Sequence, residues 1–215
     1  MKRILVPTDF SPTAELAFRF AVNLASRAKG SITLYHNYIP IENTFIGTEI
    51  TRKKYNAEYE ATEVKKLALL KKRVLGDIIQ VAVTITVERA PLIDNMLGFA
   101  AHNKIDLIVM DTQGASGFKK TIVGSVAAKI VEKSDIPVFL VPEKYKMKEP
   151  KQFVLASNIQ SFEKNALTLV IDMAKVYDAD LTVLHFQSLN IPAAEKEKGK
   201  KWFRSLCLYT SKNLQ

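Results

Sequence analysis

Short apolar runs rich in β-branched residues alternate with amphipathic stretches through residue 142, and this alternation constrains the fold more than any other feature of the chain. KRILVP reads as a strand that stops at Thr8-Asp9-Phe10-Ser11-Pro12. Ser11 can cap a free amide and Pro12 in a first helical turn loses no hydrogen bond, so a helix is expected over about residues 12–28. Its apolar positions Ala14, Ala17, Phe18, Ala21, Leu24, Ala25 and Ala28 recur at spacings of three and four. Gly30 is expected to end it before the strand SITLYH, and Arg52 to Val74 reads as a long charged helix terminated by Gly76. IIQVAVTITVE is a third strand, Pro91 starts a helix through about Asn103, and Ile105 to Met110 is apolar enough to be buried on both faces. A glycine-containing loop, a helix near Ser125 to Lys133 and the strand PVFLVP complete the series at Pro142.

Parallel neighbours need a long crossover, usually a helix, so this order implies an α/β domain with helices on both faces of its sheet. Residues 1–145 are expected to form a doubly wound five-stranded parallel sheet of order 3-2-1-4-5. A shift of 149 residues then lays the following segment on the first without a gap. Thr8 falls on Ser157, Asp9 on Asn158, Ala17 on Ala166, Ala25 on Ala174, Thr33 on Thr182 and His36 on His185. Residues 150–215 are therefore expected to hold a partial second copy: FVLASN as a strand, Glu163 to Tyr177 as a helix, DLTVLHF as a strand, then a basic tail. The 29 residues after Phe186 are too few for the rest of such a domain, and they carry no second glycine loop.

Composition removes several classes. A chain 47% hydrophobic and 25% charged, with 8 Gly and 8 Pro in 215 residues, is neither collagen-like nor largely disordered. No apolar run reaches the roughly 18–20 residues that span a bilayer, and a lone Cys207 forms no internal disulfide. A cytoplasmic protein without membrane attachment is expected. The net charge of +9 is spread, with 19 basic against 14 acidic residues in 1–142 and 12 against 8 in 143–215. Lys53, Lys54, Lys65, Lys66, Lys71, Lys72 and Arg73 are interleaved with Glu58, Glu60 and Glu63, a mixed pattern that reads as a solvated helix face and not as a nucleic-acid surface.

In a doubly wound sheet, ligands settle beyond the carboxyl ends of the strands where the connections diverge. Two loops belong there: Thr8-Asp9-Phe10-Ser11 and Asp111-Thr112-Gln113-Gly114-Ala115-Ser116-Gly117. Gly114 and Gly117 remove side chains that would keep an anion from backbone amides, and Gly124-Ser125 opens a helix whose free N–H groups favour negative charge. The same glycines also suit an ordinary tight turn. Lys119 and Lys120 add charge-assisted donors for an outer phosphate. Asp9 can accept hydrogen bonds from a ribose hydroxyl or an exocyclic amine, or it can simply cap the following helix. An adenine nucleotide at this sheet edge satisfies the set. Asn158, in place of Asp9, leaves the second copy without an equivalent site. His36 and His185 stand at matching strand ends, where repetition points to packing; His102 is alone near a helix end. No His, Cys, Asp and Glu spacing resembles a metal site, no Gly-x-Ser-x-Gly elbow serves Ser116 or Ser125, and no Gly-x-Gly-x-x-Gly run follows the first strand.

Three stretches in this order, ILVPTDFSPTAELAF, DLIVMDTQGASGFKKTIVGS and IPVFLVP, resemble the universal stress protein family across residues 1–142 and, more weakly, 151–187. The resemblance implies a flavodoxin-like, adenine-nucleotide-hydrolase-like fold, here of the tandem type with a truncated second domain. It also implies a stress-response protein that binds ATP or AMP, with Mg²⁺, and catalyses little or nothing. The nucleotide-binding positions it implies are Pro7, Thr8, Asp9, His36, Met110, Gly114, Gly117, Phe118, Lys119, Gly124, Ser125 and Val126. In ATP-binding members nine residues separate the second glycine from the Gly-Ser pair; here six separate Gly117 from Gly124, and Val126 stands where Asn often follows. Relatives often pair through their last strand, so a homodimer through residues 137–142 is expected, as is the alternative of a nucleotide-free dimerisation or scaffold module.

Overall fold

A computed structural model describes residues 2–42, 47–76, 80–113, 123–157 and 164–185. They fall in two compact units, Met1–Met147 and Lys148–Gln215. The first runs β1 (Arg3–Pro7), α1 (Pro12–Ala28), β2 (Ser31–Tyr38), α2 (Glu49–Leu75), β3 (Ala82–Arg89), α3 (Leu92–His102), β4 (Leu107–Asp111), α4 (Ser125–Lys133), β5 (Val138–Val141). Every strand pair is parallel and the order is β3-β2-β1-β4-β5. The fold expected from the alternation is the fold observed.

Central strands β1 and β4 lie between neighbours on both sides, and all five residues of β4 are buried, as an unalternating apolar run requires. On one face Met96 and Ala100 of α3 and Ala127 and Ile130 of α4 pack on Leu5, Tyr35, Ile108 and Met110. α1 buries an alanine-rich stripe, Ala14, Ala17, Ala21 and Ala25, with Phe18 and Leu24. Small side chains in that stripe let the helix lie close to the strands, while its N-terminus is fixed by Ser11 Oγ accepting from the Ala14 amide at 3.2 Å.

Several boundaries differ from expectation for local reasons. The left-handed residue that ends α1 is Lys29, at φ 51°, and not Gly30. Gly30 serves a close approach instead: a Cβ there would lie 3.0 Å from the Lys2 carbonyl oxygen, which the Ser31 amide engages at 2.7 Å. α2 begins at Glu49, earlier than Arg52, because Thr48 Oγ1 accepts from the Thr51 amide. α3 starts at Leu92 with Pro91 as its cap residue. The charged stretch of α2 is not solvated throughout: Asn56, Glu63, Leu67, Leu70 and Val74 form its buried stripe, and Glu63 is only 1% exposed.

The second unit contains β6 (Gln152–Ser157), α5 (Lys164–Tyr177) and β7 (Asp180–His185), the strands parallel. It repeats β1-α1-β2 in detail. Arg3 pairs with Ser31 in the first unit and Gln152 with Asp180 in the second, the same register under the 149-residue shift. Lys29 and Asp178 are both left-handed, the Gly30 and Ala179 amides reach Ala25 and Ala174 carbonyls at 2.9 Å, and the Ser31 and Asp180 amides reach Lys2 and Lys151 carbonyls. Leu167 and Ile171 of α5 pack on Leu155, Leu181 and Val183. No helix among the described residues is long and apolar enough to cross a membrane.

Candidate functional site

The carboxyl ends of β1, β2 and β4 open into a cleft of about 190 Å³. Its position follows from connectivity, since the chain leaves β1 toward β2 on one side while β4 lies on the other.

The turn after β1 is held at every residue. The Thr8 amide donates to the Tyr35 carbonyl at 2.9 Å, Thr8 Oγ1 accepts from the Phe10 amide at 3.0 Å, and Asp9 Oδ1 accepts from the Ser11 amide at 2.9 Å. These bonds force Phe10 into a left-handed conformation, φ 65°, which a bulky side chain tolerates only where its surroundings over-determine it. The Phe10 ring lies 4.6 Å from the His36 ring, and the Lys66 ammonium sits 5.8 Å from its centroid. His36 Nδ1 donates to the Thr8 carbonyl at 2.8 Å, so a strand-borne imidazole anchors the turn from beneath.

Opposite, β4 ends at Asp111, 6% exposed, whose Oδ2 accepts from Thr13 Oγ1 at 2.9 Å and from the Gln113 amide at 3.2 Å. Helix α4 then starts at Ser125 behind Gly124, a cap residue with no side chain, and no side chain among the described residues caps it. First-turn amides of an uncapped helix are unsatisfied donors at the positive end of the helix dipole. Gly124 is required here by crowding: a Cβ would meet the Gln113 carbonyl oxygen at 2.8 Å and the Thr112 oxygen at 3.2 Å, both backbone atoms. That close approach brings the α4 N-terminus to the end of β4.

Of the residues expected from sequence, Pro7, Thr8, Asp9, His36, Met110, Gly124, Ser125 and Val126 line this one cleft. Gly114, Gly117, Phe118 and Lys119 lie outside the described residues. Tyr35, Asn37 and Leu92 also line it, and sequence reading missed them. Tyr35 and Asn37 flank His36 and share the opposite strand face, so strand alternation carried the signal. Tyr35 is fully buried, and burial, then the charge of Glu88, pushes its phenol up to about 12. Glu63 was read as surface charge, yet its Oε2 faces His36 Nε2 at 3.4 Å and its Oε1 accepts from Lys66 Nζ at 2.8 Å. Among the described residues no group of three or more His, Cys, Asp or Glu side chains could hold a metal ion.

The universal stress protein family model matches residues 1–142. Universal stress protein MJ0531 of Methanocaldococcus jannaschii is 28% identical over 152 residues, spanning 70% of this chain and 84% of that protein. The solved structure of MJ0577 from the same organism is 26% identical, covers 67% of this chain and 97% of its own, and has a TM-score of 0.55. A universal stress protein from Archaeoglobus fulgidus, 19% identical, shares the fold over 94% of this chain and 72% of its own at a TM-score of 0.59. By the match over 1–142 and the strand order that accompanies it, the chain belongs to the universal stress protein family.

Proposed function

We propose that the first unit binds an adenine nucleotide, ATP or AMP, across the cleft between β1 and α4, and that occupancy changes conformation or partner choice with little or no catalysis. The observation that carries this reading is the uncapped start of α4, drawn against β4 by a glycine whose place no side chain can take. Backbone amides so exposed suit phosphate oxygens. Asp9, at the far lip, keeps its second carboxylate oxygen for a ribose hydroxyl or base amine while Oδ1 fixes the turn. The residues present fit the group.

Mg²⁺ carried in with a nucleotide would need only one or two carboxylates, and Asp9 and Asp111 both line the cleft. Asp9 Oδ1 and Asp111 Oδ2 already accept local hydrogen bonds, and the sequence marks no other residue to position an attacking water. This supports binding over turnover. β5 lies at a sheet edge, the position from which a strand pairs with a second copy, and a homodimer through residues 137–142 belongs to the same reading.

Equilibrium binding of labelled ATP tests the claim. Saturable binding at or below millimolar ligand, weakened by Asp9→Ala and by Gly117→Val, is expected. Binding that never saturates, or that neither substitution alters, refutes it.

A further inference from the structure

Tyr35, a residue of the cleft wall, carries a buried polar atom that the fold leaves unanswered. Among the described residues the Tyr35 hydroxyl is the buried side-chain group with no hydrogen-bond partner. Leaving a buried hydroxyl unmade is costly, and native interiors keep such groups for a reason, commonly a ligand or water that completes them. Phenylalanine in the same place would fill the same space without that cost. The ring is held firmly: it packs with Met96 and Ala100 in the core and lies 5.5 Å from the Phe99 ring. The Asn37 side chain is close enough to act on the phenol but forms no well-aligned hydrogen bond with it, and its amide nitrogen donates instead to the Arg89 carbonyl at 2.7 Å.

We propose that the Tyr35 hydroxyl reads the base of the bound nucleotide, donating a hydrogen bond to a ring nitrogen on the purine edge. The assignment rests on the nucleotide reading above and deepens it. Two observations direct it to the base and not to the phosphates. Tyr35 belongs to β2, whereas the free amides that suit phosphate belong to α4, two strands away across the sheet order. The cleft beside Tyr35 is walled by Leu92 and Met110, surfaces that suit a flat aromatic ring and not an anion. Buried and next to the Glu88 charge, the phenol keeps its proton throughout the neutral range and so acts as a donor.

Tyr35→Phe in the full chain separates the possibilities, with ATP and inorganic tripolyphosphate as probes and thermal unfolding without ligand as a second readout. ATP affinity should fall about tenfold while tripolyphosphate affinity is unchanged. The ligand-free variant should melt no lower than the parent, because the removed hydroxyl had no partner. Equal ATP affinities for parent and variant overturn the inference alone. A melting temperature lowered by several degrees shows an internal partner, such as an ordered water, and also overturns it. Failure of the parent chain to bind ATP removes the nucleotide reading, and this inference with it.

Discussion

His36 Nε2 lies 3.4 Å from Glu63 Oε2, and the other imidazole nitrogen is already spent on the Thr8 carbonyl, which can only accept. α2, through a glutamate that reads as surface charge, thus holds the histidine that holds the ligand-proximal turn. Glu63→Ala should lower stability by about 1–3 kcal/mol, the cost of orphaning a buried polar partner. Glu63→Gln, whose amide can donate to Nε2, should cost clearly less. Urea unfolding distinguishes them, and equal losses would show that an amide cannot serve His36 in place of the carboxylate.

Gly124→Ala introduces a methyl into the Gln113 and Thr112 carbonyls. Neither backbone group can rotate away like a side-chain end, so the start of α4 must move. A loss of about 1–3 kcal/mol is expected, together with weaker ATP binding. Unchanged stability and affinity would mean that the α4 N-terminus is not held where the cleft needs it.

The carboxylate of Asp106 accepts from the Lys2 amide at 2.6 Å and the Arg3 amide at 2.9 Å, tying the start of β1 to the approach to β4. Partial burial opposes its charge, but the two amides and the Arg3 guanidinium outweigh that and hold its pKa below the ordinary 3.8. A depressed folded-state pKa contributes stability above the unfolded value that is lost as pH falls through the folded one. The advantage of the parent over Asp106→Ala should be level above about pH 5 and vanish below the ordinary 3.8. Because Asp106 is exposed the difference will be small; an advantage that grows toward acid would contradict the sign.

The five-stranded sheet and its helices lie within Met1–Met147. A chain ending at Met147 should give a cooperative thermal transition by circular dichroism. Aggregation or a broad, non-cooperative melt would show that residues beyond 147 are needed for the fold.

What the sequence made legible was whatever depends on periodicity. β4 announced itself because five adjacent positions are all buried, α1 because Ser11 and Pro12 precede a stripe at helical spacing, and the repeat because its 149-residue shift preserves strand register. Thr8, Asp9, Gly124 and Ser125 could be brought together from strand order, and Pro7 and Val126 from the family resemblance. Chemistry that depends on which neighbour a side chain meets was not legible. Glu63 sits among lysines in the chain, and only the packing of α2 against β2 turns it inward toward His36. Tyr35 reads as a routine strand aromatic, and its unanswered hydroxyl exists only in the packed core. Gly30 was expected to end α1, but Lys29 takes the left-handed position there and the glycine serves one residue later, against the Lys2 carbonyl.

A crystal structure of the full chain grown with ATP and Mg²⁺ tests the central claim most directly. Phosphate oxygens should lie within hydrogen-bonding distance of the amides that open α4, about 3 Å, with the base beside Tyr35 and a ribose or base group on Asp9. A nucleotide bound only elsewhere, or a cleft that stays empty at saturating ATP, would contradict it.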